Sequence, residues 1–416
     1  MKPNVVAAPD LAAEGLRKIE WVRRNMPILR QLEQTFAAER PFADRRIAVC
    51  IHLEAKTAYL VLALRAGGAT VAVTGSNPES TKDDVVAALA AEGLHVYARH
   101  GASPDEMRSY MGSALELTPH VVIDDGGDLV ELLHESHVAY AGEMLGACEE
   151  TTSGVLRARA RAAAGRLGFP VVLVNDARCK YLFDNVHGTG QSVWEAVMRS
   201  TNLLLAGKTV VIVGYGWCGK GCALRAQGLG ANVIVCEVDP IKAADALMHG
   251  CRVLPLAEAC KLADIVLTVT GVRHTLRAEH FGLLKSNVLL ANAGHFSEEI
   301  DVAGLANAAV ERKPLRADVE GFRLRDGRWL NLLGGGHIVN IACGDGHPAE
   351  IMDMSFALQA LAAAHVVEQA GSLAAACHPV PAAIDEQVAR LKLAAAGVAI
   401  DALTDDQQAY LASWQA

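Results

Sequence analysis

The chain has few aromatic residues, no surplus of positive charge and no CxxC pair of cysteines. Aromatic residues make up 5% of its 416 residues, and the formal net charge is −9. An acidic chain without a basic block argues against a nucleic-acid partner. The ten cysteines are scattered without a CxxC pair, and no Cys/His cluster has zinc spacing. We therefore predict reduced thiols and no metal site.

Long hydrophobic runs are also missing. No segment is apolar without interruption for the length that a bilayer requires, and the first residues lack the apolar core of a secretory signal. These absences predict no membrane partner and a cytoplasmic location.

A glycine-rich turn in the middle of the chain is the most informative feature. Gly214, Gly216 and Gly219 directly follow the β-branched run Thr209–Val213, and the next apolar run ends at Glu237. In this pattern the glycines permit a tight turn, close approach to a pyrophosphate and close packing of helix on strand, and the acid accepts from a ribose 2′-OH. The pattern predicts a Rossmann unit that binds NAD rather than NADP.

Apolar runs and helical stretches alternate on both sides of this turn, which predicts α/β architecture. The predicted strands before the turn are Arg46–Ile51, Thr70–Thr74, His95–Ala98, His120–Asp124 and Val171–Asn175. After it they include Asn232–Cys236, Val253–Leu254, Ile265–Thr270 and Val288–Ala291. Helices are predicted over about 13–38 and from Pro348 to about Gly371, with two short helices near the C-terminus.

We predict two parallel-sheet α/β domains, the second a Rossmann NAD-binding domain, and a small helical C-terminal segment. The first would comprise residues 1–185, completed by 348–380, and the second residues 190–345. Residues 381–416 would form an oligomerisation segment. The chain would cross between the domains near Asn185–Ser192 and Gly344–Pro348, which are the predicted hinges.

Polar residues gather at the ends of the predicted strands or in loops, among them Lys180 and Asp184 after Val171–Asn175. Open α/β sheets bind ligands at this edge. Taken singly, each has an ordinary structural explanation. A histidine after a strand is often a surface residue, Asp and Gly suit turns, and Glu149-Glu150 suits a helix N-terminus. Only the assembly of such residues at one sheet edge favours a catalytic site.

Eight ordered segments together resemble the S-adenosylhomocysteine hydrolase family over nearly the whole chain, especially its shorter bacterial and archaeal branch. These segments are His-Leu-Glu-Ala-Lys-Thr (52–57), Asp-Asp-Gly-Gly-Asp-Leu (124–129), Glu-Glu-Thr-Thr (149–152), Phe-Asp-Asn (183–185), Gly-Thr-Gly-Gln-Ser (188–192), Gly-Tyr-Gly-Trp-Cys-Gly-Lys-Gly (214–221), Asn-Ala-Gly-His-Phe (292–296) and Gly-His-Pro (346–348).

The resemblance implies redox-assisted elimination on a purine nucleoside, a small-molecule substrate. Tightly held NAD oxidises the 3′-OH, a base removes the acidified 4′-proton, and the 5′ substituent leaves; water then adds and the ketone is reduced back. The expected product pair is adenosine and homocysteine. The family also suggests a homotetramer.

The resemblance assigns the residues as follows. The catalytic set is His52, Asp125, Glu150, Lys180, Asp184 and His295. The cofactor set is Thr151, Thr152, Ser153, Asn185, Gly214, Gly216, Gly219, Glu237, Asn292 and Asn340. The substrate set is Glu54, Lys56 and His347.

The recognition of the base stays open, because this chain has Glu54 and Lys56 where animal-type members have Thr and Glu. Residues two apart on a helix point away from each other, so we expect one of them to face the base. A carboxylate would accept from the adenine amine, whereas an ammonium would donate to O6 of hypoxanthine and favour S-inosylhomocysteine.

Other departures from the family leave further alternatives open. Gly334–His337 reads Gly-Gly-Gly-His where the family usually has Ala-Glu-Gly-Arg, Lys82 stands for glutamine, and the chain lacks the long Lys/Tyr tail of many members. A remodelled loop would suit a nucleoside dehydratase that expels water. An NAD-sensing binding protein and an ordinary NAD-dependent dehydrogenase are the remaining alternatives.

Overall fold

The computed structural model describes residues 2–414, and its strands form two separate sheets. The strands are β1 (Arg46–Ile51), β2 (Thr70–Gly75), β3 (His95–Tyr97), β4 (Val121–Asp124), β5 (Gly146–Glu149), β6 (Val171–Leu173), β7 (Thr209–Val213), β8 (Asn232–Cys236), β9 (Arg252–Val253), β10 (Ile265–Thr268), β11 (Val288–Asn292), β12 (Ala309–Arg316), β13 (Val319–Leu324), β14 (Trp329–Leu333) and β15 (Cys377–Pro379).

The first sheet is parallel throughout and has the order β3-β2-β1-β4-β5-β6-β15. Its strand order reverses between β1 and β4, so the carboxyl ends of these two strands frame the crevice where doubly wound sheets bind ligands. Strand β15 comes from the far end of the chain and closes the sheet beside β6.

The second sheet contains the six-stranded Rossmann order β9-β8-β7-β10-β11-β14, all parallel. An antiparallel ribbon, β13 and β12, extends it past β14. The predictions of two parallel α/β sheets and of a Rossmann second sheet are therefore confirmed.

The helices cover the faces of both sheets. They are α1 (Ala12–Arg24), α2 (Pro27–Glu39), α3 (Ala55–Ala66), α4 (Asp83–Ala91), α5 (Pro104–Leu115), α6 (Asp128–His134), α7 (Thr152–Ala163), α8 (Arg178–Lys180), α9 (Thr189–Thr201), α10 (Trp217–Gly228), α11 (Pro240–Met248), α12 (Leu256–Cys260), α13 (Ala278–Phe281), α14 (Val302–Ala308), α15 (Val339–Ala342), α16 (Ala349–Glu368), α17 (Ala382–Ala395) and α18 (Asp405–Ala412). A π-helix, Tyr181–Gly188, joins α8 to α9.

Three of the sequence predictions need correction. The single helix over 13–38 is wrong, because Pro27 begins a new helix and lacks the N–H that a continuous helix would use. The strand predicted over Val171–Asn175 ends at Leu173, where a 3₁₀ turn begins. Lys180 and Asp184 lie on α8 and the π-helix rather than on a loop.

Helix α16 lies in the core of the first sheet and packs on α2, α3, β4 and β5. It is the one helix among residues 2–414 that is long and apolar enough to cross a membrane, but 67% of its most apolar window is buried inside the protein. Its apolar character therefore reflects burial within the fold. The two predicted C-terminal helices are present as α17 and α18; residues 415 and 416 of the predicted segment lie outside the described residues.

Candidate active site

The carboxyl ends of β1, β4 and β5 bring three predicted catalytic residues to one edge of the first sheet. His52 follows β1, Asp125 follows β4 and Glu150 follows β5. Because these strands are parallel neighbours, their ends align. The Glu150 N–H also donates to the carbonyl of Asp124, 2.9 Å away, which joins two of the three loops directly.

Lys180 forms the centre of a buried charge cluster. Its Nζ donates to Asn185 Oδ1 at 2.9 Å and lies 3.4 Å from Asp184 Oδ2 and 3.6 Å from Glu150 Oε1. Burial alone would lower the pKa of Lys180, but the carboxylates of Asp184 and Glu150 outweigh it and hold the pKa above its usual value. Lys180 is therefore an ammonium ion fixed by three neighbours.

The two carboxyl groups beside Lys180 differ in protonation. Burial raises the pKa of Glu150 to about 8, against the opposing influence of Lys180. Burial would also raise the pKa of Asp184, but Lys180 and His347 outweigh it and leave it below its usual range. Two neighbouring carboxyl groups with separated pKa values can divide the roles of proton acceptor and fixed anion.

Helix α16 holds both carboxyl groups through two residues that sequence reasoning missed. Ser355 Oγ donates to Asp184 Oδ2 at 2.7 Å, and Gln359 Nε2 lies 2.5 Å from Glu150 Oε2. Ser355 and Gln359 are four residues apart and so share one face of the helix. The detectable signal was a pair of polar residues at helical spacing in an otherwise apolar run.

His52 and Asp125 form a second group at the same edge. His52 Nε2 lies 3.4 Å from Asp125 Oδ2, while its Nδ1 lies 2.8 Å from Ser80 Oγ. Ser76 Oγ donates to the same Asp125 oxygen at 2.9 Å. Burial lowers the pKa of His52, and Asp125 offsets this only in part. A neutral imidazole beside a carboxylate can accept a proton and then stabilise the resulting charge.

His295 brings the second sheet to this edge. It follows β11, and a Cβ placed at Gly126 would lie 3.2 Å from His295 Nε2, so His295 stands directly over the loop after β4. The rings of Tyr181 and Trp217 stack across the same boundary, with centroids 4.6 Å apart. The two sheets thus meet at their carboxyl edges.

His347 is placed beside the Lys180 cluster. Its Nδ1 lies 2.5 Å from Asp184 Oδ1, and its Nε2 lies 3.2 Å from Thr189 Oγ1. The imidazole therefore links the π-helix to the start of α9. Its predicted role in binding the substrate stays a prediction.

The expectation that Glu54 and Lys56 point apart is wrong. Glu54 precedes helix α3 as its N-cap, in extended backbone, so helical geometry does not separate the two side chains. Lys56 Nζ lies 2.9 Å from Glu54 Oε2 and also donates to the carbonyl of Asp345 at 2.9 Å. An ammonium and a carboxylate are thus presented together, next to the predicted chain crossing near Asp345.

Two buried acids behind the site, Asp124 and Glu149, were named in the motifs but given no role in the site. Glu149 accepts from the N–H groups of Gly126 at 2.9 Å and Thr151 at 3.0 Å. Asp124 accepts from Val130 N at 2.9 Å, and burial raises its pKa to about 8. These contacts fix the loops that carry Asp125 and Glu150, so both acids are structural supports of the site.

The glycine turn has the geometry that a dinucleotide requires. Gly214 has φ +102°, and a Cβ at Gly219 would overlap the Gly214 carbonyl oxygen. A Cβ at Gly216, by contrast, would meet nothing within 4 Å among the described residues. Glu237 Oε2 accepts from Tyr215 N at 2.7 Å, so the acid after β8 reaches the turn. The free space at Gly216 is where the motif predicts the pyrophosphate.

Two orphaned polar atoms nearby also suit a bound cofactor. Asn340 Nδ2 donates to Ser192 Oγ at 3.0 Å, but Asn340 Oδ1 is buried with no hydrogen-bond partner among residues 2–414. Ser153 Oγ is likewise buried and unpaired within the described chain. Buried polar atoms are rarely left unpaired, so the amide oxygen and the hydroxyl fit a polar ligand such as nicotinamide.

The other predicted cofactor residues are occupied within the protein. Asn292 Oδ1 accepts from Gly294 N at 2.8 Å, and its Nδ2 donates to the carbonyls of Phe296 and Gly336 at 2.9 and 3.1 Å. Thr152 Oγ1 accepts from Asn175 Nδ2 at 3.2 Å, whereas Thr151, the N-cap of α7, makes no side-chain cap hydrogen bond. Contact of these side chains with a cofactor stays a prediction.

Glu299 is a further residue that sequence reasoning missed. It is fully buried and accepts from Thr270 N at 2.9 Å and Gly271 N at 2.5 Å, which fixes the loop after β10. Since β10 and β7 are adjacent, this loop borders the glycine turn. Among residues 2–414, no group of three or more His, Cys, Asp or Glu side chains could hold a metal ion.

The altered loop before Asn340 consists of three successive left-handed glycines. Gly334, Gly335 and Gly336 have φ of +58°, +61° and +85°. A Cβ at Gly334 would lie 2.9 Å from Cys343 Sγ, and one at Gly336 would lie 2.9 Å from Val302 Cγ2. This backbone path depends on glycine at both positions. Lys82, the other altered residue, is the N-cap of α4.

Two family models match the chain. One described as "S-adenosyl-L-homocysteine hydrolase" matches residues 4–141, and one described as "S-adenosyl-L-homocysteine hydrolase, NAD binding domain" matches residues 185–346. The second match contains the glycine turn and Glu237. It confirms the prediction that NAD is the cofactor.

Similar curated proteins cover nearly the whole chain. An adenosylhomocysteinase of Pyrococcus abyssi is 53% identical over 98% of this chain and 96% of its own length. One of Aquifex aeolicus is 48% identical over 98% and 97%. An S-inosyl-L-homocysteine hydrolase of Methanopyrus kandleri is 48% identical over 98% and 96%. The predictions of an enzyme and of its family are thereby confirmed: this chain belongs to the S-adenosyl-L-homocysteine hydrolase family.

Proposed function

We propose that this enzyme reversibly hydrolyses S-adenosylhomocysteine to adenosine and homocysteine by redox-assisted elimination on the ribose. The observation that carries the proposal is the buried cluster of Lys180, Asp184 and Glu150 at the edge where the NAD-binding sheet meets the first sheet. A fixed cation between two acids of different protonation suits deprotonation of a sugar hydroxyl.

Lys180 orients the 3′-oxygen in this proposal. As an ammonium it donates to that oxygen and stabilises negative charge that develops there. Glu150, whose carboxyl lies 3.6 Å from Nζ, accepts the hydroxyl proton in its ionised form, while Asp184 stays the fixed anion. NAD held at the glycine turn and near Asn340 would supply the acceptor and later donor of the hydride at the 3′-carbon.

His52 and Asp125 act on the opposite side of the sugar. The neutral imidazole or the carboxylate removes the 4′-proton, which the neighbouring carbonyl has acidified, and returns a proton to the leaving 5′ substituent. His295 faces the same loop from the second sheet and supports the 3′-oxygen. Closure at the predicted hinges near Asn185–Ser192 and Gly344–Pro348 would exclude water from the ketone.

Release of thiol tests this proposal. The holoenzyme is incubated with S-adenosylhomocysteine, and homocysteine thiol and NADH absorbance are followed. We expect catalytic thiol release without net accumulation of NADH. Turnover of a bare nucleoside without thiol would instead indicate a dehydratase, steady growth of NADH an ordinary dehydrogenase, and NAD binding without turnover a sensor.

S-inosylhomocysteine is a second candidate substrate, and the Glu54–Lys56 pair can accommodate its base. Hypoxanthine offers an acceptor at O6 and a donor at N1, which match an ammonium and a carboxylate held 2.9 Å apart. Adenine instead offers a donor at N6 and an acceptor at N1. The pair can therefore bind either base: Lys56 facing position 6 would suit hypoxanthine, and Glu54 facing it would suit adenine. The Methanopyrus kandleri relative, whose name specifies the inosyl substrate, is consistent with this candidate.

Direct competition between the two substrates distinguishes them. The ratio of kcat/KM for the inosyl over the adenosyl compound is measured in the wild type and in Lys56→Met, which keeps the length of the side chain but removes the charge. If Lys56 donates to O6 of hypoxanthine, the ratio of inosyl over adenosyl kcat/KM should fall by about tenfold or more in Lys56→Met, because the buried O6 loses its hydrogen-bond donor. An unchanged ratio would contradict recognition by Lys56.

We also propose a homo-oligomeric, cytoplasmic enzyme with the domain division predicted above. Supporting this, helix α18 buries none of its described residues, and Tyr410 and Leu411 are largely exposed. The ten cysteines are free thiols, as a reducing compartment would allow. Light scattering of the full chain and of a chain ending at residue 396 tests the role of the C-terminal segment. Fractionation of cells producing the protein tests its location.

A further inference from the structure

The short helix that carries Lys180 is held by a residue from the other end of the chain. The N–H groups of Arg178 and Cys179 each donate to one carboxylate oxygen of Asp385, and both distances are 2.8 Å. The Cys179 thiol also lies 3.3 Å from the main-chain oxygen of Asp385. About 206 residues separate these partners along the sequence.

This contact replaces a local N-cap. The first N–H groups of a helix have no intrahelical acceptor, and a polar side chain at the N-cap usually supplies one. Here the N-cap is Ala177, which has no polar side chain, and helix α8 has only three residues. A carboxylate at a helix N-terminus gives a charge-assisted cap, so Asp385 fixes the backbone from which Lys180 projects.

Asp385 is itself anchored to the frame of the active site. It lies in the first turn of α17, which packs on α16, α2 and α8 and contributes the fully buried Val388. Helix α16 holds Asp184 and Glu150 through Ser355 and Gln359. The ammonium and its two acids therefore depend on the same pair of C-terminal helices for their relative positions.

We propose that Asp385 is a positioning residue for Lys180, so that the C-terminal helix α17 sets the rate of the ribose oxidation step. This rests on the proposed function. Asp385 acts through the backbone of α8 and is not a catalytic residue. Small displacements of a reacting group can reduce a rate by up to about a hundredfold, so loss of the cap should appear in catalysis as well as in stability.

The chain contains a matched control. Asp353 caps helix α2 in the same way, accepting from Ile28 N at 3.0 Å and Leu29 N at 2.8 Å across 324 residues or more. Helix α2 carries none of the residues assigned to the site. Asp353 lies on α16, as Ser355 and Gln359 do, but its carboxyl faces α2, so Asp353→Asn tests the loss of a long-range carboxylate cap away from α8.

The experiment compares Asp385→Asn, Asp353→Asn and the wild type as NAD-loaded holoenzymes, well below their melting temperatures. Stopped-flow absorbance follows reduction of bound NAD after adenosine is added, and steady-state kinetics give kcat and KM. We expect Asp385→Asn to slow NAD reduction and kcat by about 10- to 100-fold with KM changed less than threefold. Asp353→Asn should keep NAD reduction within twofold of the wild type.

Two results would overturn the proposal: NAD reduction in Asp385→Asn within twofold of the wild type, or an equal loss of rate in both variants. If Asp385→Asn does not fold, Asp385→Glu, which keeps the charge but lengthens the side chain, replaces it with the same criteria. Failure of the proposed function would look different, since the wild type itself would then reduce no NAD with adenosine.

Discussion

Lys180 is the residue on which the proposed chemistry depends most directly. Its side chain is buried, and its ammonium lies 3.4 Å from Asp184 Oδ2 and 3.6 Å from Glu150 Oε1. We predict that Lys180→Ala abolishes reduction of bound NAD by adenosine, with kcat lowered by at least about a thousandfold, because both the donor to the 3′-oxygen and the local cation are lost. Stopped-flow absorbance measures the reduction step.

An exposed lysine provides the control for this prediction. Lys261 lies on the surface beyond α12, so Lys261→Ala should react at the wild-type rate. Calorimetry should still show adenosine binding to the Lys180→Ala holoenzyme. Normal NAD reduction in Lys180→Ala would contradict the assignment.

The motifs predicted the site residues that follow strands. The carboxyl ends of neighbouring parallel strands meet at one edge of the sheet, regardless of the sequence that connects the strands. His52, Asp125 and Glu150 met at one edge for this reason. Ser355 and Gln359 were missed because their polarity is explained only by carboxyl groups about 170 to 210 residues away. The Glu54–Lys56 contact was mispredicted because a helix boundary fell between the two residues.

At the scale of elements, helix α10 packs very closely on the π-helix that carries Asp184 and Asn185. A Cβ at Gly221 would overlap the carbonyl of Val186 in that π-helix. Backbone atoms cannot rotate aside, so Gly221→Ala must separate the two elements. We expect it to destabilise the protein by about 1–3 kcal/mol and to lower kcat, since Asp184 would move.

A second glycine of the same helix serves as the matched control. Gly228 ends α10, and a Cβ there would meet nothing within 4 Å in the part of the chain that the structure describes. Gly228→Ala should therefore be neutral or stabilising by up to about 1 kcal/mol. Thermal melts of the two variants decide the matter, and equal Tm values would contradict close packing at Gly221.

Asp353 of α16 caps helix α2, and the titration of its carboxyl should make the stability of the protein depend on pH. Burial raises the pKa of Asp353 to about 6, although the N–H groups of Leu29 and Ile28 oppose the shift. A carboxyl whose folded pKa exceeds the ordinary value of 3.8 favours the folded state fully below pH 3.8. That contribution, about 3 kcal/mol at most, is lost as the pH rises through 6.

Asp353→Asn removes this titration because the amide stays neutral. The difference in Tm between the wild type and Asp353→Asn should therefore be more favourable to the wild type at pH 4.5 than at pH 7.5. Melts in matched buffers at constant ionic strength measure it. A difference that grows in favour of the wild type towards pH 7.5 would show that the folded pKa lies below 3.8.

The buried strands of both sheets were predictable because their β-branched, apolar runs are bounded by turn residues. Strand β5, Gly146-Ala147-Cys148-Glu149, lacks that composition and takes its extended form from pairing with β4 and β6. Strand β12 is charged and largely exposed, so its sequence shows no hydrophobic period. The π-helix has no local sequence signal, since its form depends on packing against α10 and α16.

At the scale of the whole molecule, two sheets with separate cores present their carboxyl edges to each other. His295 stands over Gly126, and Tyr181 stacks on Trp217, so residues from both sheets complete one site. Among the described residues, the unpaired amide oxygen of Asn340 belongs to the segment after β14 of the second sheet. The unpaired hydroxyl of Ser153 belongs to the segment after β5 of the first sheet. A cofactor that engages both atoms would join the sheets, and its binding should stabilise the entire protein.

Gly216→Val tests this linkage without disturbing the apoprotein. Gly216 has φ −71° and ψ −169°, which valine adopts readily, and a Cβ there would meet nothing within 4 Å among the described residues. The apoprotein should therefore melt at the wild-type temperature. The valine would, however, occupy the space predicted for the pyrophosphate, so the rise in Tm on adding NAD should be lost.

The magnitude of that rise follows from mass action. A ligand at a hundred times its Kd stabilises the folded state by about 2.7 kcal/mol, so the wild type should show a clear shift in NAD where Gly216→Val shows little. Gly228→Ala, on the same helix but away from the turn, should keep the full shift. If Gly216→Val retained it too, the pyrophosphate could not lie at the glycine turn, and the path by which NAD joins the two sheets would have to be sought elsewhere.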